Sequence, residues 1–575
     1  MSIVCIAEKP SVAKDIARVL GANQSHDGYY EGNGYQVTWT YGHLCELKLP
    51  QEYDPRWTAW RMNTLPMIPT RFQIKVKSQQ SIQHQFAIIK MLFNHADEII
   101  NCGDAGIEGE LIQRWVLQQT GARCPVKRLW ISSLTDEAIR EGFKHLKDQD
   151  EYQLLYEAGL ARSISDWLLG MNATRYYTLI SRQRGVVSVG RVQTPTLSLI
   201  VERQKEIDDF IPSTYYMLQT KCKDVMFSCS EKYDDKSEAQ AILDAISSKP
   251  LVITKVENKR SNEAPPQLFD LTTLQVECNK LFGMSAEETL NTIQYLYEQK
   301  LATYPRVDTR YLSNDIYKEC HKVLSTLYGY VRYTEPLLQK PLRKSSRVFD
   351  DTKVTDHHAI IPTGRTPSDL NAQTSDVFDL IAKRFIAVFY DDMVSSNTTV
   401  TARAGETTFK ATGRQLLSPG WYEVYDKTLS DKLLPEFKKG ESLDHVPSMT
   451  TKHTSAPAPY TEATLLRAME TCGKDIQDTE LREALKENGI GRPSTRASII
   501  ETLFKRGYVE RNKKNLVPTT LGKKLITMIQ NPILKSAELT GQWEKKLRCI
   551  ERGEISARDF INEVKELTRS IINQY

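Results

Sequence analysis

The sequence predicts a multidomain protein of mixed α/β plus α class, with a β-rich region interleaved among helical segments. The chain has 575 residues, and at roughly 150 residues per domain it is long enough for about four units. Two strand-turn-helix patterns occur near the N-terminus. Farther along, helical periodicity alternates with stretches rich in β-branched and aromatic residues, which indicates that helical and sheet segments are interleaved.

The two strand-turn-helix patterns predict the α/β unit. An apolar run over residues 2–7 predicts a strand, which is followed by apolar residues at helical spacing, Val12, Ile16, Val19 and Leu20. The second pattern predicts a strand over 98–102, a break at Gly103 and a helix over 108–117. Ligands bind at the carboxyl ends of strands in open α/β sheets. We therefore expect one shared site at the acids that follow the strands, Glu8, Asp104, Glu108 and Glu110.

The rest of the chain alternates between helical and strand patterns. Helices are predicted at residues 152–173 and 193–203. Strands are predicted at residues 215–229, 251–256 and 394–404, with a helical region over 271–391 between the last two. Residues 427–459 are rich in Lys, Glu, Ser and Pro and predict a connector before a final helical block. A sheet that the chain leaves and re-enters implies discontinuous domains.

The composition excludes several classes of protein. Hydrophobic residues make up 40%, charged residues 26% and aromatic residues 9%, which is too apolar and aromatic for a disordered chain. No segment approaches the roughly 18 consecutive apolar residues of a membrane span. The N-terminal apolar run is too short for a signal-peptide core, so the expected location is cytoplasmic, at the nucleoid. The ten cysteines include no Cys-x-x-Cys pair, so neither a zinc ribbon nor a disulfide framework is predicted.

The charge distribution is more informative than the net charge of +4, which is too small to identify a nucleic-acid-binding protein. Residues 491–514 contain seven basic and two acidic side chains. Such a segment is typical of a phosphate-binding surface, but a solvated helix face has the same composition.

The acidic residues of the second pattern suit a hard divalent cation. Mg²⁺ takes oxygen ligands and is usually held by one or two carboxylates together with a substrate phosphate. The same acids would also be favoured in the first turn of a helix without any metal, because of the helix dipole. Lys9 could contact a phosphate or remain solvated.

The motifs together resemble a known family. Residues 7–11, Ala-Glu-Lys-Pro-Ser, with the Asp104-x-x-x-Glu108-Gly-Glu110 element resemble the Toprim domain of type IA DNA topoisomerases. Further motifs have counterparts in the same order, at residues 41–44, 128–134, 162–175, 189–196, 265–266, 304–306, 356–363, 460–465 and 489–496. The whole chain is thereby similar to this family, in particular to its bacterial topoisomerase III group.

The resemblance implies four domains that close into a toroid. The Toprim domain would occupy residues 1–150, and a helical domain carrying Tyr304 would occupy 263–393. A helical single-strand-binding domain would combine 151–212 with 460–575. A β-rich arch or hinge would combine 213–262 with 394–459.

The resemblance also implies a chemistry. Tyr304 would attack a phosphodiester of single-stranded DNA and form a 5′-phosphotyrosine, leaving a 3′ hydroxyl. Arg306 would hold a phosphate oxygen, Glu8 would act as general acid, and Lys9 and His357 would complete the catalytic set. Glu8, Asp104 and Glu108 would bind Mg²⁺. No nucleotide would be consumed, and the sequence contains no G-x-x-x-x-G-K-[ST] phosphate loop.

The implied substrates are single-stranded, negatively supercoiled and catenated DNA, which a monomeric enzyme would relax or unlink, with a helicase as a candidate partner. A groove for the single strand would be lined by Arg162, Arg175, Ser188, Arg191, Gln193, Arg492, Ser494, Thr495 and Arg496. Tyr176 and Tyr177 would either stack on bases or be buried.

Three positions depart from the family pattern. Gly106 and Ile107 stand where the family commonly has Asp and Arg, and the missing carboxylate disfavours a two-metal site. Val307 stands where a Thr often follows the active-site Arg. Two alternatives stay open: a Toprim-containing, DNA-binding accessory protein with impaired religation, and a Toprim nuclease or primase, which would not need Tyr304.

Overall fold

The structure is a computed structural model, and it describes residues 2–131, 134–182, 185–354, 357–473, 485 and 489–573. Within these ranges, no helix combines the length and the apolar character that crossing a membrane requires.

The described strands of the N-terminal unit form a seven-stranded sheet in the order β2-β3-β4-β1-β7-β8-β9. These strands are β1 (Ile3–Ala7), β2 (Gln24–His26), β3 (Tyr29–Gly32), β4 (Tyr35–Trp39), β7 (Glu98–Cys102), β8 (Val126–Arg128) and β9 (Lys147–Asp148). A separate ladder joins β5 (Cys45–Leu47) to β6 (Ile74–Val76). The strand β1 lies between its parallel neighbours β4 and β7, and the terminal residues Ala7 and Cys102 are register partners. The segments that follow β1 and β7 therefore emerge side by side.

The N-terminal unit has five described helices, α1 (Pro10–Leu20), α2 (Pro50–Tyr53), α3 (Gln80–Asn94), α4 (Ile107–Thr120) and α5 (Asp136–Lys144). Of these, α1 and α4 are predicted from the sequence. The predicted strands over 2–7 and 98–102 correspond to β1 and β7, and the predicted helix over 108–117 lies inside α4. Because α1 buries Val12 and Ile16 in the core of the unit, its apolar spacing was a reliable signal.

The next part of the chain contains two long helices and then a second sheet. The predicted helices over 152–173 and 193–203 correspond to α6 (Gln153–Ser181) and α7 (Gln193–Asp208). The sheet has the order β15-β12-β13-β14-β11-β10-β16. Its strands are β10 (Thr214–Cys222), β11 (Val225–Cys229), β12 (Leu251–Glu263), β13 (Met393–Ala404), β14 (Thr407–Ser418), β15 (Ser442–Leu443) and β16 (Val446–His453), and α8 (Lys236–Ser247) packs beside β10 and β16.

Two predictions about this sheet were wrong. The expected connector over 427–459 contains β15 and β16, and β16 pairs with β10 from Val446 to His453. Polar side chains on an exposed edge strand give the same composition as a loop, which hid the strand. The single strand predicted over 215–229 is a hairpin, because Lys223 and Asp224 adopt positive φ angles and turn the chain.

The helical region between β12 and β13 carries Tyr304. Its helices are α9 (Leu271–Phe282), α10 (Ala286–Glu298), α11 (Tyr317–Ser325), α12 (Val331–Leu338) and α13 (Ala372–Ala387). They enclose an apolar core that includes Phe269, Leu274, Ile293 and Phe385. Tyr304 lies in the irregular segment between α10 and α11.

The C-terminal elements return to α6 and α7. They are α14 (Glu462–Thr471), α15 (Pro493–Lys505), β17 (Val509–Asn512), β18 (Asn515–Pro518), α16 (Thr520–Met528), α17 (Glu538–Glu551) and α18 (Ala557–Ile572). Trp167, Leu197, Leu465 and Leu547 share one core. The prediction of an entirely helical block was wrong at the hairpin β17–β18, because four-residue strands are too short to display a clear alternation.

Candidate active site

The site begins where β1 and β7 end. Glu8 follows β1, and Asp104 comes two residues after β7. The carbonyl of Glu8 accepts hydrogen bonds from Thr40 Oγ1 at 3.0 Å and from the Gly42 amide at 3.2 Å, which fix the turn after β1. A Cβ atom at Gly109 would lie 2.2 Å from the Asp104 carbonyl oxygen. Only glycine therefore allows the first turn of α4 to approach the loop that carries Asp104.

Lys9 lies at the centre of the charged groups. Its Nζ atom is 2.6 Å from Asp104 Oδ2 and 3.6 Å from Glu8 Oε1. The same Nζ lies 3.9 Å from the centroid of the Tyr304 ring, within the range of a cation–π contact. Burial disfavours its charge, but Asp104 and Glu8 outweigh burial and hold the pKa of Lys9 above its ordinary value.

The two carboxyl groups beside Lys9 titrate very differently. Burial, and next the charge of Asp104, raise the pKa of Glu8 to about 7. Burial acts in the same direction on Asp104, but His357 and Lys9 outweigh it and hold the pKa of Asp104 below its usual range. Glu8 therefore exchanges its proton near neutral pH while Asp104 stays ionised.

Tyr304, in the segment between α10 and α11, also contacts the charged groups around Lys9. The segment around it is held by the Thr303 amide, which donates to the Ile361 carbonyl at 2.9 Å. The rings of Tyr304 and His357 are 4.4 Å apart, and His357 Nε2 lies 3.1 Å from Asp104 Oδ2. Burial raises the pKa of the Tyr304 phenol, and the charge of Lys9 opposes that increase. We call Glu8, Lys9, Asp104, Tyr304 and His357 the Tyr304 cluster.

Arg306 stands apart from these contacts. Its side chain is exposed, and no ion pair or side-chain hydrogen bond involves it within the described parts of the chain. The next residue, Val307, is buried, and its carbonyl accepts from the Leu271 amide at 3.1 Å. Among the described residues, the Arg306 guanidinium is therefore left available for an anion, two positions along the chain from Tyr304.

The expected three-carboxylate metal site is not assembled. Glu108 Oε2 lies 3.2 Å from His43 Nε2, while its Oε1 is 3.6 Å from Arg162 and 3.7 Å from Arg492. Burial acts to raise the pKa of Glu108, but these neighbours, His43 first, lower it to about 2. No cluster of three or more His, Cys, Asp or Glu ligands occurs among the residues that the structure describes.

Glu110 has a structural position, which corrects its expected place in the shared site. It is fully buried, and its Oε2 lies 3.0 Å from Arg128 Nε. Arg128 also donates to the carbonyls of Gly103 at 2.7 Å and of Asp104 at 2.8 Å. Positions two apart on a helix do not share a face, so Glu110 points away from Glu108. We call Asn101, Glu110, Arg128 and Gln149, which are joined by hydrogen bonds, the Arg128 cluster.

Several predicted groove residues do converge. Arg162 and Arg191 share the carboxylate of Glu544, at 2.7 and 3.2 Å. Arg492 joins them through Glu108, while Gln193 Nε2 donates to Ser188 Oγ at 2.8 Å. Ser494 and Thr495 lie in the first turn of α15, beside Arg492.

Arg162 and Arg191 are themselves buried, at 8% exposure each. Two other predicted groove arginines are buried away from this group. Arg175 donates to the Trp57 carbonyl, and Arg496 Nη1 donates to Thr272 Oγ1 at 2.8 Å. Both arginines are at least 94% buried, which corrects their expected exposure in the groove. Tyr176 and Tyr177 are also buried, at 0% and 1% exposure, so the burial alternative is confirmed for both rings.

Comparison with known proteins identifies the family. A sequence model of the Toprim domain matches residues 3–134. A second model, described as DNA topoisomerase, matches residues 150–562. The chain belongs to the type IA DNA topoisomerases.

Individual relatives agree with this topoisomerase assignment. The DNA topoisomerase 3 of Bacillus cereus is 39% identical, over 99% of this chain and 81% of that protein. The DNA topoisomerase 3 of Shouchella clausii is also 39% identical, over 99% of this chain and 80% of its own. The structure of full-length topoisomerase I from Thermotoga maritima matches with a TM-score of 0.72 at 25% identity, covering 99% of this chain and 90% of that one. The resemblance and the fold class predicted from the sequence, a Toprim α/β unit, helical units and a β-rich sheet in a toroidal fold, are thus confirmed.

Sequence reasoning missed two residues of this topoisomerase site. His43 holds the Glu108 carboxylate, and Arg128 holds the Asp104 loop. Both lie in motifs that carried the resemblance, but neither was given a role. The position of Arg128 at the end of β8, which is parallel to β7, was the available signal.

Proposed function

We propose that this topoisomerase cuts one DNA strand through a 5′-phosphotyrosine at Tyr304, passes another strand through the break and reseals it, without nucleotide hydrolysis. The observation that carries the proposal is the contact of Tyr304 with Lys9 and His357, both of which also contact Asp104. The Tyr304 phenol and the Lys9 cation thereby lie together, and the titrating carboxyl group of Glu8 lies beside Lys9.

In the cleavage step, the Tyr304 oxygen forms a bond to phosphorus as the bond from phosphorus to the 3′ oxygen breaks. The phenol proton passes to solvent, and the charge of Lys9 stabilises the developing phenolate. Glu8 gives its proton to the departing 3′ oxygen. Its pKa of about 7 suits both this donation and the reverse transfer during religation.

Arg306 and His357 would stabilise the phosphate during the exchange. The free guanidinium of Arg306 suits a forked pair of hydrogen bonds to the non-bridging oxygens. His357, which lies against the Tyr304 ring, is placed to donate a hydrogen bond to the same group.

Once Glu8 has given up its proton, two carboxylates fit a Mg²⁺ ion. Glu8 and Asp104 are close enough for the charge of Asp104 to raise the pKa of Glu8, and a cation would relieve that repulsion. Mg²⁺ needs only one or two carboxylates when waters and a phosphate complete its shell. The ion would supply charge neutralisation at the phosphodiester. Glu108 is engaged by His43 and two arginines, so we assign the metal to Glu8 and Asp104.

Strand passage requires the Tyr304 segment to leave the Toprim unit. Two contacts between the Toprim unit and the helical region that carries Tyr304 are polar. Ser11 Oγ lies 2.9 Å from Tyr297 OH, and His357 lies against Asp104. The apolar core around Phe269 is separate from both cores of the Toprim unit. Polar contacts can exchange for water, so this contact is suited to open as a gate.

The proposed substrates are negatively supercoiled and catenated DNA, both of which present single strands. A monomer carries all the groups described, and a helicase would enlarge the supply of single-stranded DNA. Arg492, whose side chain is 35% exposed, would contact a phosphate, with the buried Arg162 beside it on Glu108. Phosphate contacts impose little base selectivity.

The test is incubation with supercoiled plasmid, with and without Mg²⁺, followed by denaturation of the protein. We expect Mg²⁺-dependent topoisomers from the wild type, and DNA binding without relaxation or covalent adduct from Tyr304→Phe. Tyr328→Phe is the matched control, because Tyr328 is 67% exposed. Relaxation by Tyr304→Phe would contradict the assignment of Tyr304 as the nucleophile. Free nicks would indicate a nuclease, and a covalent adduct without topoisomers would indicate impaired religation. Relaxation that persists in EDTA would contradict the proposed role of Mg²⁺.

A further inference from the structure

The basic run over residues 491–514 divides into an inner and an outer set. Arg492 faces Glu108, Arg496 is buried, and Arg511 pairs with Glu462 at 2.9 Å and Glu501 at 2.7 Å. The other four side chains are exposed, and none forms an ion pair within the part of the chain that the structure describes. We call these four residues the hairpin patch: Lys505, Arg506, Lys513 and Lys514.

The patch sits on a rigid support. Lys513 and Lys514 form the two-residue turn between β17 and β18, where Asn512 pairs with Asn515. Lys505 is the last residue of α15, and Arg506 follows it. The base of the hairpin is anchored by Tyr508, whose hydroxyl accepts from the Ser188 amide at 2.9 Å. A fixed array of charges loses less entropy on binding a phosphate backbone than a mobile one.

The patch is separate from the predicted groove. Arg492 caps the N-terminal end of α15, and Lys505 is at its C-terminal end, 13 residues along the helix. At 1.5 Å per residue, the two ends are about 20 Å apart. At 3.4 Å per nucleotide of a B-form strand, this span corresponds to about six nucleotides.

The chemistry of the patch favours duplex DNA. Proteins that hold unstacked single strands combine basic residues with exposed aromatic rings. Here the Phe504 ring is covered by the Arg511 guanidinium at 3.7 Å, and Tyr508 is 1% exposed. Four unpaired cations without a stacking ring match a phosphate backbone whose bases remain paired.

We propose that the hairpin patch binds the backbone of the duplex that flanks the single strand held in the groove. This inference rests on the proposed function, because it requires a cleaved single strand nearby. The duplex contact would place the junction between single and double strands at a set distance from Tyr304.

The test compares four DNAs. They are a single strand of about 8 nucleotides, the same strand with a duplex arm of about 20 base pairs at one end or at the other, and the same strand with a single-stranded arm of equal length. The variants are Lys513→Ala/Lys514→Ala and Lys505→Ala/Arg506→Ala. The control is Lys438→Ala/Lys439→Ala, another exposed lysine pair beside a turn.

With either patch variant, we expect affinity for one of the duplex-arm DNAs to fall about tenfold or more. The slope of log affinity against log salt should become shallower by about 1.8, as expected for two lost phosphate contacts on duplex DNA. Cleavage of the short strand should be unchanged, and the control should match the wild type.

Unchanged affinity for both duplex-arm DNAs would overturn the inference, and so would a loss that appears with the single-stranded arm instead. Equal loss on the short strand would also overturn it, because the residues would then belong to the groove. Failure of the wild type to cleave the short strand would instead contradict the proposed function, so the two failures are distinguishable.

Discussion

The Tyr304 cluster and the Arg128 cluster lie on the two sides of the loop that carries Asp104, and they use charge in opposite ways. In the Arg128 cluster, one buried guanidinium faces one buried carboxylate, and backbone carbonyls accept its remaining protons. In the Tyr304 cluster, two carboxyl groups compete for Lys9, and the pKa of one is raised to about 7.

This difference in charge balance distinguishes a structural role, that of the Arg128 cluster, from a chemical role, that of the Tyr304 cluster. Burial raises the pKa of Glu110, but the charges of Arg128 and Arg114 oppose the increase, and the hydrogen bonds of the cluster fix its geometry. An unbalanced cluster keeps a group that can exchange a proton at neutral pH, which is a feature of functional sites. Asp104 and Glu110 both follow β7, and their different partners give them different roles.

The sharpest test of this contrast is Glu8→Gln, which keeps the shape of the side chain and removes its titration. We expect single-turnover cleavage to slow by about 10²–10⁴-fold, the usual contribution of a general acid. In the absence of Mg²⁺, wild-type cleavage should fall as pH rises through about 7, because Glu8 loses its proton there. The variant should lack that inflection in a pH–rate profile.

Glu137→Gln, an exposed carboxylate in the same unit, should keep the wild-type rate and profile. A wild-type inflection near pH 7 in Glu8→Gln would assign the titration to another group and contradict the role of Glu8.

The Arg128 cluster should respond through stability. Arg128→Met leaves the buried Glu110 with Arg114, 4.0 Å from its Oε1, as the remaining cation, and breaking the buried Arg128–Glu110 pair costs about 3–5 kcal/mol. Urea unfolding, followed by amide exchange at β7, should show this loss, and Arg128→Met/Glu110→Leu should recover part of it. Arg140→Met breaks an exposed ion pair with Asp136 at 3.6 Å and should change stability by about 1 kcal/mol or less. Equal stability of the single and double variants would contradict a charge-pairing role.

The smallest expected effect is that of His357→Ala. Because His357 helps to hold the pKa of Asp104 below its usual range, its loss should let that pKa rise. Activity should then decline at a higher pH on acidification than in the wild type. At neutral pH we expect about a tenfold slower cleavage, or about 1.4 kcal/mol, with unchanged binding of a short oligonucleotide. The control is His321→Ala, because His321 is exposed. An equal loss of cleavage rate in this control would contradict a specific role of His357.

The sequence was a good guide wherever the signal was local. Apolar runs placed β1 and β7, and the motif at residues 304–306 pointed to Tyr304 through its resemblance to a family. Local patterns failed at β16, where an edge strand has loop-like composition, and at Arg175 and Arg496, because periodicity does not reveal whether a cation is buried.

The sequence by itself therefore determined the mixed α/β class and the strand ends that bear acids, because these depend on neighbours along the chain. The candidate nucleophile came from the resemblance to a family. Only the tertiary structure decided which acid meets which partner. Asp104 and His357 are 253 positions apart, and Arg162 and Glu544 are 382 apart. A side chain's charge state and task depend on such distant neighbours, since burial and nearby charges set its pKa.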